Sequence, residues 1–109
     1  MTQFDDRERA FEAKFAHDEE MKFRIVARRN RLLGEWAGRK MDLSDEEKDA
    51  YAKDVVRADF EEAGDEDVIR KVLGDLTNAG VETDEAEIRE ALEQKNVEAR
   101  RQIIEATNQ

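Results

Sequence analysis

Apolar residues along the chain recur mostly three or four positions apart, and nowhere is there the sustained alternation expected of a strand. Four segments carry this helical spacing. The first predicted helix runs from about Asp6 to Trp36 or a little beyond, with Phe23, Ile25, Val26, Leu32, Leu33 and Trp36 in its second half. Gly34 and Gly38 weaken its end, and "GRKMD" serves as an exit. The second has the clearest start: in "LSDEEKDAYAKDVVRADFEEAG", Ser44 caps the helix and Glu47 returns the bond from the third helical position. Tyr51, Val55, Val56 and Phe60 form its buried side, and Gly64 suits its stop. The third follows Asp65, with Val68, Ile69, Val72, Leu73 and Leu76 at helical intervals and Gly80 closing it. Thr83 is the expected cap of a fourth helix reaching about Glu105, striped by Ile88, Leu92, Ala99 and Ile103, with Val97 and Ile104 at its margins. Lys95 and Asn96 predict a partly exposed middle for this helix.

Four amphipathic helices joined by short connections bury their stripes as an all-α four-helix bundle with a long first helix. Thirty helical residues span ~45 Å at 1.5 Å each. A bundle of this size does not cover such a rod, so the rod bends or its first part projects. The last three helices and residues 21–37 suffice for a core, which leaves residues 1–20 without one. Within them Phe4, Phe11 and Phe15 fall close to one helical face with Glu8 between them, while Asp5, Arg7, Arg9, Glu12 and Lys14 occupy the other sides. A short helix of this kind is marginal alone. It either folds back on the bundle or folds into a groove on another protein, and aromatic anchors suit the second outcome. Composition leaves both open.

Charge sharpens the picture. Of 109 residues, 44% are charged, and the formal net charge is −10. Residues 22–40 nevertheless hold seven bases against the single acid Glu35, so one basic helical stretch crosses an acidic body. Such a balance argues against nucleic acid as a partner. Internal charge matching explains the basic stretch, as does docking of an acidic partner. No apolar run approaches the ~20 residues of a membrane helix, and no leader pattern precedes the chain, so it reads as soluble and unexported, without membrane insertion. The chain has no cysteine, which removes disulfides and thiolate metal sites, and no proline.

Motifs for chemistry are missing. There is no phosphate-binding glycine loop, dinucleotide fingerprint or HExxH, and neighbouring carboxylates such as Asp5/Asp6 and Glu61/Glu62 are expected by chance in so acidic a chain. The expectation is a protein that is not an enzyme and has neither cofactor nor metal. His17, the only histidine, lies beside Asp18 and Glu19 and is either a solvated helix residue or a proton-sensitive contact. In "RIVARRNR", Arg24, Arg28, Arg29 and Arg31 offer an alternative function, a nucleotide- or anion-binding regulatory module.

The stretch "FDDRERAFEAKFAHDEEMKFRIVARRNRLLGEWAG" closely resembles the N-terminal signature of the zeta subunit of alphaproteobacterial ATP synthases, and the resemblance continues through "LSDEEKDAYAKDVVRADFEEAGDEDVIRKVLGDL" and the last helix. It implies a protein inhibitor of ATP hydrolysis by the F-type ATP synthase. A mobile inhibitory segment, residues 1–18, becomes helical on binding, and residues 19–109 form the four-helix globular domain. The segment enters a catalytic alpha/beta interface near the rotor stalk and blocks hydrolysis far more than synthesis. The implied partners are the catalytic alpha and beta subunits and the central stalk. The implied location is cytoplasmic, at the inner face of the bacterial membrane when bound. Within that segment the aromatic stripe and the charges around it make Phe4, Arg7, Glu8, Arg9, Phe11, Glu12, Lys14, Phe15 and His17 the expected contact residues.

Overall fold

The computed structural model describes the backbone of residues 2–61 and 64–107, and the side chains of residues 19–59 and 64–106. Four helices follow one another: α1 (Thr2–Lys40), α2 (Asp45–Glu61), α3 (Asp65–Asn78) and α4 (Glu85–Thr107). α1, with 39 residues, packs chiefly against α2 and α4, and α3 packs against the other three helices. The core is built from Leu33 and Ala37 of α1, Val55 of α2, Val68, Ile69, Val72 and Leu76 of α3, and Ile88, Ala91 and Leu92 of α4. Phe60, expected on the buried side of α2, lies outside the described side chains.

The long first helix does project. The molecule measures 65 × 27 × 21 Å, and its radius of gyration of 17.4 Å exceeds the ~13 Å of a compact chain of this length. The part of α1 that enters the core begins near Arg29, and Phe23 on the preceding turns is 55% exposed.

Two expectations about α1 and α4 are corrected. Gly34 and Gly38 do not weaken the end of α1: they sit inside it, where α2 crosses. A Cβ on Gly34 would lie 2.6 Å from Ala52 Cα, and one on Gly38 would lie 2.7 Å from Lys48 Cγ. The glycines let two helix backbones approach. α1 does exit within "GRKMD", as expected: it ends at Lys40, and the left-handed φ of 58° at Asp42 lets the Leu43 amide donate to the Gly38 carbonyl at 3.0 Å and the Asp42 amide to Arg39 at 3.1 Å. Gly80, with φ of 81°, ends α3 by the same device, and here the expectation holds. The second correction concerns the cap of α4. The Glu87 amide donates to Asp84 Oδ1 at 2.8 Å, while Thr83 Oγ1 is buried without a hydrogen-bond partner. A carboxylate satisfies the orphan amides and complements the positive helix end, so Asp84 outcompetes its neighbour.

At α2 the reciprocal cap is as expected. The Glu47 amide donates to Ser44 Oγ at 3.2 Å, and the Ser44 amide donates to Glu47 Oε1 at 3.0 Å. The Ser44 amide, followed by the Ser44 hydroxyl, holds the Glu47 carboxyl below its ordinary value. On α4, Ile88, Leu92 and Ala99 are buried, whereas Val97 (65%) and Ile104 (39%) are exposed.

Candidate functional site

The basic stretch of α1 distributes its cations among the other three helices. Arg29 pairs with Asp65 of α3 at 3.0 Å, Arg31 pairs with Asp49 of α2, and Lys40 pairs with Glu87 of α4 at 2.7 Å while lying 5.0 Å from the Trp36 ring centre. The Arg31–Asp49 hydrogen bond raises the guanidinium pKa and lowers that of the carboxyl. Arg29 is buried, and its Nε and Nη2 donate to Oδ1 of Asn30, itself fully buried, at 3.1 and 3.0 Å. Neither Arg29 nor Asn30 stood out as a core residue in the sequence. The visible signal would have been their place one turn before Leu33, on the face that continues the apolar stripe.

The four arginines considered for an anion site do not converge. Arg24, Arg28 and Arg31 share one groove, but Arg29 faces a different one, beside Asp65, Glu66 and Arg89. Successive residues of a helix point 100° apart, so Arg28 and Arg29 cannot serve one ligand from the same side. In the second groove Arg89 Nη2 contacts both Glu66 oxygens at 2.9 and 2.7 Å and Glu85 at 2.9 Å. The Glu66 carboxyl is held low by this hydrogen bond, and the Arg89 guanidinium is correspondingly raised.

The groove carrying Arg24, Arg28 and Arg31 has a volume of about 440 Å³ and runs along α1 between α2 and α4. Its floor is Phe23, Ala27, Val56 and Ile103, and Lys53 completes its cationic rim. Arg24 pairs with Glu20 at 2.8 Å, Lys53 pairs with Asp49 at 3.1 Å, and Arg28 Nε donates to the neutral Gln102 Oε1 at 2.7 Å.

Phe4, Arg7, Glu8, Arg9, Phe11, Glu12, Lys14, Phe15 and His17 all fall within α1, and their side chains lie outside the described residues. Among the described residues no cluster of three or more His, Cys, Asp or Glu side chains is arranged to hold a metal ion. Among them, too, no helix is long and apolar enough to cross a membrane.

Four helices are what the resemblance implies, and a long first helix that extends past the core is what periodicity and length predict. The family model described as ATPase inhibitor subunit zeta matches residues 1–102. The chain belongs to this family. A structure described as the solution NMR structure of a protein is 46% identical to it, covers 79% of this chain and 98% of its own, and superposes with a TM-score of 0.69. No curated protein matches the chain. As a member of the zeta family it is an inhibitor subunit of the F-type ATP synthase and not an enzyme. Its partners are the catalytic alpha and beta subunits and the central stalk. Family membership lends no support to the anion-binding alternative.

Proposed function

We propose that residues 1–18 are the inhibitory segment and residues 19–109 the globular domain that carries it. In this reading the segment enters a catalytic alpha/beta interface near the rotor stalk as a helix, at the cytoplasmic face of the membrane, and blocks rotation in the hydrolytic direction. Phe4, Phe11 and Phe15 supply apolar anchors. Arg7, Glu8, Arg9, Glu12 and Lys14 orient the helix through charged contacts, and His17 stands at the junction with the bundle. A wedge of this kind acts sterically and needs no reaction chemistry.

The observation that carries the reading is a mismatch of extents. The match to the inhibitor family begins at residue 1 and the helix at Thr2, but among the described residues the buried hydrophobics of α1 begin only at Leu32. The N-terminal half of α1 is therefore retained for something other than the described core. A short isolated helix is marginal on its own, and contact with a partner stabilises it.

Inhibition of ATP hydrolysis by the purified catalytic head tests this directly. Removal of residues 1–18 abolishes inhibition and leaves the thermal unfolding of the bundle nearly unchanged. Phe11→Ala and Phe15→Ala each weaken inhibition by more than Glu12→Ala, since a buried aromatic anchor contributes about 2 kcal/mol or more at a hot spot. Full inhibition by the truncated chain, or a sharp fall in melting temperature in the phenylalanine variants, counts against the assignment.

A further inference from the structure

Counting from the N-terminus, Arg29 and Asn30 are the first buried side chains of α1 among the described residues, and both are polar. Asn30 is fully enclosed. Its Oδ1 accepts from Arg29 Nε and Nη2, and its Nδ2 has no partner. The same Nη2 reaches Asp65, the first residue of α3, at 3.0 Å. Arg29 faces the groove shared with α3 and α4, whereas Asn30 faces α2 beside Val56. A buried donor without an acceptor costs free energy that an apolar side chain of similar shape does not. Stability alone therefore gives no reason for this pair, and register gives one.

The other inward contacts of α1 repeat along its axis. Gly34 and Gly38 both admit α2, and Leu33 and Ala37, also four residues apart, both enter the core. A slide of four residues, ~6 Å with about 40° of rotation, would bring Gly38 to the place of Gly34 and Ala37 to that of Leu33. It would also put Leu33 where Arg29 meets Asp65 and Gly34 where Asn30 is enclosed, so every contact of the polar pair would be lost. Arg31–Asp49 and Lys40–Glu87 oppose the slide as well, but they are partly exposed, and such pairs contribute little.

The consequence is felt far from the pair. α1 is one uninterrupted helix, and residue 11 lies 18 positions before Arg29, ~27 Å along the axis. A tilt of about 10° at Arg29 displaces residue 11 by about 5 Å.

We propose that Arg29 and Asn30 are positioning residues: clasped to Asp65, they fix the register of α1 on the bundle and hence the bearing at which residues 1–18 leave it toward the catalytic head. The proposal rests on the inhibitory reading of that segment and names what aims it. Both residues act through α1 and not by touching the partner.

The test uses the full-length chain, which has no cysteine of its own, spin-labelled through Glu19→Cys on α1 and Thr77→Cys on α3, both exposed positions. Distances between the labels, thermal unfolding and inhibition of the purified head are read on the same preparations. R29M/N30L removes the whole polar pair and keeps its approximate shape, whereas either change alone would strand the hydrogen-bonding atoms of the other. The double variant melts at or above the parent temperature, and its distance distribution shifts or broadens. It needs ~10-fold more protein for half-inhibition, the result when about a tenth of the chains hold the competent bearing. Asp65→Ala, at a side chain 58% exposed, cuts only the α3 end of the clasp. It broadens the distances and weakens inhibition by less, and it carries the test if the double variant does not fold. Parent-like distances in the folded variants overturn the proposal, as does parent-like inhibition despite altered distances. A lower melting temperature with both of these unchanged also overturns it, by reducing the pair to a stabilising contact. Removal of residues 1–18 separates the two readings. If inhibition survives that truncation, the segment reading fails and the proposal with it; if truncation abolishes inhibition while R29M/N30L inhibits as the parent does, the clasp alone is overturned.

Discussion

Asp84 and Thr83 stand side by side at the start of α4, and only Asp84 holds a helix amide. The hydroxyl of Thr83 is buried with no partner. Removing an unsatisfied buried polar group is close to neutral or favourable, whereas losing a cap costs about 1 kcal/mol. Chemical denaturation of Thr83→Val should therefore give a midpoint equal to or above the parent, and Asp84→Ala a lower one. Tyr51 provides a second test. Its hydroxyl donates to Asp75 Oδ2 at 2.8 Å, an acceptor shared with Lys71 Nζ at 3.1 Å. Burial, then the hydrogen bond to Asp75, raises the phenol pKa well above its ordinary value. The neutral phenol is thus favoured by folding. Its contribution is intact below the unfolded value of about 10 and is lost as pH rises beyond it. Tyr51→Phe should cost about 1 kcal/mol near neutrality, and its stability should decline less than the parent's between pH 10 and more alkaline conditions in a pH series of denaturation curves.

Glycines inside helices have opposite meanings in α1 and α3. At Gly34 a methyl group would meet the backbone of Ala52, which cannot yield without moving α2. At Gly74 it would meet nothing within 4 Å. Gly74→Ala should stabilise the protein by about 0.5–1 kcal/mol through helix propensity. Gly34→Ala should destabilise it by about 1–3 kcal/mol, the usual cost of overpacking, despite the same gain in propensity. Denaturant midpoints that move in opposite directions check the pair. The contrast also shows how far the elements could be read in advance. Helical periodicity located all four helices, and the Ser44/Glu47 pattern located one terminus closely, because spacing and capping are local properties. Gly34 and Gly38 were misread as weakening the end of α1, although "GRKMD" does hold its exit, since a glycine that admits a neighbouring backbone looks, in one dimension, like a glycine that loosens a helix. Adjacent cap candidates at Thr83 and Asp84 are similarly ambiguous without the geometry. Buried Arg29 and Asn30 share the face of Leu33 one turn on, but the ion pair of Arg29 with Asp65 of another helix is a long-range contact with no local signature. The apolar floor of the groove, drawn from three helices, was hidden for the same reason. Phe4, Phe11 and Phe15 are raised by the sequence because they share a stripe within one short segment, and their side chains lie outside the described residues.

Across the whole molecule, α1 is the axis to which every other helix is tied, by Arg29 to α3, Arg31 to α2 and Lys40 to α4. Each exposed pair contributes little by itself, but together they fix which acid meets which base in a crowded surface. Asp49, beside Arg31 and Lys53, Glu66, beside Arg89, and the capping Glu47 are all held below the ordinary carboxylate range. A carboxyl depressed in the folded state stabilises it above the unfolded value of about 4, and that contribution is lost as pH falls through the folded value. Melting temperature should therefore hold from neutral pH to about 5 and drop below about 4, and the drop should be shallower in an Arg31→Gln, Arg89→Gln double variant.

The unbroken run of α1 from Thr2 to Lys40 also makes the molecule a phased device. Whatever grips the first four turns sets the rotational bearing of everything beyond them, at 100° and 1.5 Å per residue. One residue added near position 20 would swing the groove more than a quarter turn away from its former heading, with no contact in the bundle disturbed. Seven added residues would nearly restore the heading, about 20° short of true, but would carry the bundle ~10 Å outward. The length of this helix is thus under a constraint of angle as well as distance, as with the teeth of a key.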